Sequence, residues 1–233
     1  MTRAQTVAAI LFLAGATALS VWSFSLDRPV RETVVASQKA RKDWSKSGEA
    51  GFYRAVRKWG DWPWLMLGGG ILLAGCVKCG NRKWTRIIAA AMIASTLSGI
   101  LANTSRLTTG RTRPRASPEF PQGFYGLFYE GRLLVGEPKF NAFPSGHTAT
   151  AFGLAWPVVF AAPAAGVVVL AGAALVAWSS IALGAHHPSD VTVSILLSLA
   201  VGWVVWRFVL LRGDGLAAAL LARAQALRRR WRK

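Results

Sequence analysis

Charge is scarce in this chain. Lys, Arg, Asp and Glu make up 16% of its 233 residues, where a soluble domain carries about a quarter, and the shortage argues against an ordinary water-soluble globule. Acidic residues are scarcer still, 10 against 28 basic ones, for a formal net charge of +18, so the partners of the chain are expected to be anionic. Cysteine is limited to Cys76 and Cys79. Their C-x-x-C spacing occurs in redox and metal sites, but a zinc site needs further ligands, no second cysteine pair exists, and the βαβ context of a thioredoxin-like motif is missing. Histidine occurs three times, as His147, His186 and His187.

Apolar residues are abundant, at 53%, and fall into six windows near residues 5–24, 62–78, 87–104, 146–163, 164–184 and 190–211. Windows of roughly 17 to 25 residues cross about 30 Å of hydrocarbon as helix. The expected fold is therefore all-α, a single domain over residues 1–233 built as an integral membrane bundle of about six transmembrane helices. Basic residues flank the windows, and Trp62, Trp64, Trp84, Trp203 and Trp206 lie near span ends or within spans; that pattern fits anionic lipid headgroups and not nucleic acid. The triple glycine Gly68-Gly69-Gly70, inside the second window, is expected to be a helix-packing surface.

Arg3 and the run Ala16-Thr17-Ala18 also fit a signal peptide, but an uncleaved first span is the expectation. The polar segment 25–61 places Phe52, Tyr53, Val56 and Trp59 close to one helical face, as in a helix lying at the membrane interface. Lys78, Arg82, Lys83 and Arg86 fill the loop between the second and third windows, and the tail 212–233 is basic. Both are expected to be cytoplasmic, which puts the loops after the first, third and fifth spans on the other side. Segment 25–61 opposes this orientation, but it is longer than the loops the rule governs best.

That other side receives most of the remaining chemistry. Arg106 and Arg113-Pro114 follow the third window, Pro144-Ser145-Gly146-His147 open the fourth, and His186 and Asp190 lie between the fifth and sixth. A proline suits the first turn of a helix, and the amides of Ser145, Gly146 and His147 are expected as anion-binding donors at the helix N-terminus. Gly146 permits close backbone approach, His147 can move a proton near neutral pH, and Arg106 and Arg113 offer forked donors to phosphate oxygens. The spacing of His186 and Asp190 allows the carboxylate to hold one tautomer of the imidazole and leave its other nitrogen free.

The runs RLTTGRTRP, PSGH and SSIALGAHHPSD resemble the three signature motifs of the type 2 phosphatidic acid phosphatase family, K-x6-R-P, P-S-G-H and S-R-x5-H-x3-D. The resemblance covers residues 106 to 190 in order. It implies hydrolysis of a phosphate ester or diphosphate without metal or other cofactor. His186 would be the nucleophile that forms a phosphohistidine, His147 the acid for the leaving oxygen, and Asp190 the group that orients His186. Arg106, Arg113, Ser145 and Gly146 would bind the phosphoryl group. Two positions depart from the family: Arg106 stands where it has lysine, and Ser180 where it has arginine. Three outcomes follow from Ser180. Another arginine takes over, with Arg111, Arg115 and Arg132 the nearest loop candidates; the enzyme is slow; or the protein binds phosphorylated lipids without catalysis.

Within the expected active-site loop 105–143, the stretch 116–143 carries Phe120, Phe124, Tyr125, Phe128 and Tyr129 and is expected at headgroup depth. The substrate is then an anionic phosphorylated lipid: a polyprenyl diphosphate, phosphatidate, phosphatidylglycerol phosphate or a lipid A phosphate. A lipid phosphotransferase on the same fold is the alternative. The expected setting is a bacterial inner membrane with the site on the extracytoplasmic face.

Overall fold

The computed structural model describes residues 3–115 and 121–210. Phe120 and the basic tail 212–233 lie outside the described residues. The chain runs through α1 (Arg3–Ser25), α2 (Asp27–Ala40), a short 3-10 turn (Trp44–Lys46), α3 (Gly48–Lys58), α4 (Trp62–Lys78) and α5 (Arg82–Thr109). A loop with the small antiparallel hairpin β1 (Phe128–Tyr129) and β2 (Arg132–Leu133) leads to α6 (Gly146–Ala161), α7 (Pro163–Ala182) and α8 (Pro188–Val205), which continues as a π-turn over Trp206–Leu210.

A helix occupies each of the six apolar windows, but length gives a smaller count of spans. Arg82–Thr109, Pro163–Ala182 and Pro188–Val209 are long and apolar enough to cross a membrane, and a fourth span is added if α1 and α2, bent by 43° at their junction, count as one. These helices make the chain an integral membrane protein. With 17 and 16 residues, α4 and α6 rise only about 25 Å at 1.5 Å per residue, short of the roughly 30 Å hydrocarbon core.

α6 is the hub, packed against α5, α7 and α8. Ala151, Phe152 and Ala155 meet Ala173, Val176 and Ala177 of α7 and Val191 of α8, while Val158 meets Ile87 and Ala91 of α5. Between membrane helices close packing replaces the hydrophobic drive, so small residues collect at the contacts. A Cβ on Gly153 would lie 2.9 Å from the Ala94 carbonyl oxygen. Gly69 of the triple glycine packs on Met92 in the same way. Val167, Val168 and Trp178 of α7 point outward and are exposed, as lipid-facing residues are.

α5 ends at Gly110, whose φ of 58° is left-handed and whose missing side chain admits the Gly126 carbonyl; a Cβ there would sit 2.1 Å from that oxygen. The loop that follows is ordered by its own aromatics. Tyr125 packs edge-on to Tyr129 at 4.6 Å and to Phe140 at 5.4 Å, so only part of the expected aromatic surface, Phe124 and Phe128, is exposed. Segment 25–61 forms two helices. On the expected apolar face of α3 only Val56 is buried, while Phe52 and Trp59 are exposed. α3 packs against α7. At its end Gly60 lets the α3–α4 corner press on α6: a Cβ there would lie 2.8 Å from the His147 carbonyl oxygen.

Candidate active site

Five helix termini meet at one end of the bundle: the starts of α4, α6 and α8 and the ends of α5 and α7. The three motif segments touch directly. Ser145 N–H donates to the Asp190 carbonyl at 3.2 Å, His186 Nδ1 lies 2.8 Å from the Ala142 carbonyl, and a Cβ on Gly146 would lie 3.2 Å from Arg106 Nη1.

α6 starts later than the sequence led us to expect. Gly146 is its first residue and Ser145 its N-cap, so Pro144 precedes the cap and is not in the first turn. Ser145 is not a free donor either. Its amide is taken by Asp190, and its fully buried hydroxyl shares a hydrogen bond with Thr148 Oγ1 at 2.9 Å. The amides left at the open end are those of Gly146, His147 and Thr148, which have no intrahelical acceptor.

His186 is 1% exposed. A carbonyl only accepts, so Nδ1 carries the proton in its contact with Ala142 and Nε2 keeps the lone pair. Nε2 is buried and has no hydrogen-bond partner. The expected orienter, Asp190, is not the group that fixes this tautomer: its Oδ2 is 3.7 Å from Nδ1, beyond a hydrogen bond, and accepts instead from the His187 amide at 2.7 Å. Burial first, then the charges of Arg113, Arg57 and Arg106, push the His186 imidazole well below its ordinary range, so it stays neutral.

Those three guanidinia form the electropositive wall. The Nε atoms of Arg57, Arg106 and Arg113 are all buried without a hydrogen-bond partner. Arg113 Nη2 makes one long contact, 3.4 Å, to the Asn141 carbonyl. Burial and then Arg113 lower the Arg57 pKa against the opposing pull of Asp61, and burial lowers that of Arg113 against Asp190. Both remain cations, since arginine keeps its proton in proteins. His147 Nε2 sits 2.6 Å from Asp61 Oδ1, and its Nδ1 is 3.5 Å from Arg57 Nη2.

None of the three loop arginines considered as replacements at Ser180 makes this contact with His147. Arg111 is buried in a second cluster, donating to Ser189 Oγ at 2.7 Å, to Asp27 Oδ2 at 2.5 Å and to Asp190 Oδ1. Asp27 also accepts from the Ser189 amide and hydroxyl at 2.9 and 2.6 Å, and the Arg111 guanidinium lies within 5.5 Å of the rings of Phe24, Phe124 and Phe143. Arg115 is exposed and rests against Gly184. Arg132 is exposed on β2. Ser180 is fully buried, its hydroxyl donating to the Val176 carbonyl at 3.0 Å. His187 turns toward Gln122 Oε1, 3.1 Å away, and the Thr112 carbonyl. A cavity of about 490 Å³ beside the Arg111 cluster has His187 in its lining but none of His147, His186, Arg57, Arg106 or Arg113.

Sequence reasoning missed Arg57, Asp61 and Asp27. Asp61 precedes Trp62-Pro63 and has the look of an N-cap, yet its side chain makes no cap bond. Arg57 is one of several bases on an amphipathic stretch, with nothing local to single it out.

Comparison with known proteins fits this geometry. The PAP2 superfamily profile matches residues 84–214, more than half of the chain, and the chain belongs to that superfamily. It is 34% identical over 108 residues to a lipid A 1-phosphatase of Rhizobium etli, covering 46% of this chain and 42% of that protein. A lipid A 1-phosphatase of Rhizobium johnstonii is 36% identical over 96 residues, covering 40% and 36%. The matches thus span about two-fifths of the length of these curated relatives. Among solved structures, LpxE of Aquifex aeolicus superposes with a TM-score of 0.51 at 21% identity, covering 78% of this chain and 96% of that one. A PAP2-type phosphatidylglycerolphosphate phosphatase of Bacillus subtilis superposes with a TM-score of 0.52 at 20% identity, covering 85% and 92%. These two likenesses establish the shared fold.

Proposed function

We propose that the protein is a membrane lipid phosphatase that hydrolyses a phosphate monoester or diphosphate through a phosphohistidine on His186. The observation that carries this is the state of that residue: neutral, fixed with its proton on Nδ1, and holding an unpaired Nε2 beside three guanidinia whose Nε donors lack partners. A set of half-buried cations whose Nε donors lack acceptors is stabilised by an anion carrying two or more negative charges, and a phosphoryl group supplies them. The Nε2 lone pair forms the N–P bond while the P–O bond to the lipid breaks, and His147 gives the leaving oxygen its proton. Water then attacks phosphorus and returns a proton to His147. The N–P electron pair goes back to His186 and inorganic phosphate leaves. The arginines and the amides of Gly146 and His147 stabilise the charge on the transferring group.

The relatives named as lipid A 1-phosphatases favour a lipid A type phosphate over the other lipids considered. The six helices α1 and α4–α8 would form the membrane bundle, with α6 shielded from lipid by its neighbours. The site would face the extracytoplasmic side, opposite the basic turn from Lys78 to Arg86. Phosphate release from a panel of purified lipid phosphates tests the activity, with lipid A 1-phosphate expected to be the best substrate. Release from none of them, or transfer to an added acceptor lipid in preference to water, would overturn it.

A further inference from the structure

The corner between α3 and α4 brings two charged side chains to the site from outside residues 84–214, the stretch matched by the superfamily. Arg57 reaches it from the last turn of α3. Its Nη2 faces His147 Nδ1 at 3.5 Å, and its Nε is buried with no partner. Asp61, at the N-cap position of α4, makes no cap bond and instead accepts from His147 Nε2 at 2.6 Å. Gly60 permits both, because any side chain there would collide with Val176 and the His147 carbonyl.

We propose that this corner is a working part of the phosphate site: Arg57 binds phosphoryl oxygens beside Arg106 and Arg113, and Asp61 positions His147 so that Nδ1 delivers the proton to the leaving oxygen. The inference rests on the phosphatase reading above. Three observations carry it. Arg57 shares with Arg106 and Arg113 the property that separates them from Arg111, a buried guanidinium nitrogen without an acceptor; a donor left bare in this way is satisfied by a ligand. A carboxylate that forgoes its helix cap to hold one imidazole nitrogen leaves the other to face the reacting group, and it stabilises the imidazolium that donates the proton. Finally, α7 supplies no cation at Ser180, whose hydroxyl turns back to Val176, so the third guanidinium of the wall comes from α3. On protonation His147 carries Nε2–H toward Asp61 and Nδ1–H toward the leaving oxygen. After transfer the Nδ1 lone pair is restored, ready to take the proton of the attacking water.

The test uses the full chain in detergent micelles, orthophosphate as probe, and two substrates, an alkyl lipid phosphate and nitrophenyl phosphate. Arg57→Met should weaken orthophosphate binding by about a hundredfold, the scale of losing one preorganised charge donor, and lower kcat/KM in parallel. Arg57→Lys, which keeps the charge and loses the fork, should fall between. Arg54→Ala, on an exposed position of the same helix, should match the parent. Asp61→Asn should slow the alkyl phosphate at least tenfold and nearly spare nitrophenyl phosphate, whose leaving group needs no proton. Parental orthophosphate affinity in folded Arg57→Met removes Arg57 from the site, whatever the parent hydrolyses. If that variant does not fold, Arg57→Gln is decided on the same readout. Equal slowing of both substrates by Asp61→Asn makes Asp61 a structural group. If the parent binds orthophosphate in an Arg57-dependent way yet hydrolyses nothing, the anion site stands and the hydrolase reading falls.

Discussion

Arg111 and Arg57 are both drawn into the end of the bundle that carries the motifs, and they do opposite things there. Arg111 is met by Asp27, Asp190 and Ser189 and lies against three aromatic rings. Arg57, with Arg106 and Arg113, keeps a buried Nε without any acceptor. A guanidinium met by two carboxylates and a hydroxyl is a strut, and here it ties the start of α2 and the loop after α5 to the start of α8. Guanidinia whose Nε donors lack an acceptor, close enough to depress the neighbouring imidazole, make up the anion site proposed above. Position in the sequence does not separate the two classes, since Arg111 lies between Arg106 and Arg113. Direct hydrogen bonds to carboxylates do.

The sharpest way to break this comparison is to remove the strut. Arg111→Ala leaves Asp27 and Asp190 buried without their cation, and losing one member of a buried ion pair costs about 3 to 5 kcal/mol. The expected outcome is a large fall in melting temperature or failure to accumulate, read by thermal unfolding in micelles, whereas Arg106→Ala should weaken orthophosphate binding by about a hundredfold with little change in melting temperature. If the two variants behave alike, the distinction between strut and anion-binding arginine is wrong.

A second measurement concerns the electrostatics around His186. A histidine pushed below its ordinary pKa of about 6.5 binds its proton only at lower pH, so His186 should remain the neutral Nδ1–H tautomer as pH falls through 6.5. Nitrogen NMR of imidazole-labelled, phosphate-free protein should show that form still present near pH 5.5. Titration at the ordinary value would mean that neither burial nor the arginines act on it.

The smallest effect belongs to the arginines outside both clusters. Arg132→Ala, on the exposed hairpin, and Arg115→Ala, at an exposed loop position, should each change kcat/KM by less than about threefold. A loss on the order of a hundredfold in either would bring back a loop arginine as the missing clamp.

Much of this architecture was legible in the chain itself. The six apolar windows each became a helix, because a continuous apolar run has no other way to satisfy its backbone in lipid. The three motif segments converged because alternating helices put their ends on one face. What was not legible was set by contacts between distant segments. The partner of His186 is the carbonyl of Ala142, a backbone group that any residue could supply, so its proximity to Asp190 in sequence pointed to the wrong acceptor. Ser145 has the composition of an anion donor but is used to join α6 to α8. Asp61 and Arg57 were hidden because their signals, a helix N-cap and an interfacial base, are those of residues with ordinary roles. The number of spans also stayed beyond composition, since α4 and α6 are apolar enough but short.

The central claim is that His186 Nε2 is the atom that takes the phosphoryl group. Rapid acid-free quenching of the parent protein with phosphorus-labelled lipid A phosphate, followed by peptide mapping, tests it directly. The label expected on the peptide bearing His186 is acid-labile and base-stable, absent from His186→Ala, and slower both to form and to decay in His147→Ala, which lacks the acid for the leaving oxygen and the base for water. Turnover at the parental rate in folded His186→Ala, or a label on His187 or any other residue, would contradict it.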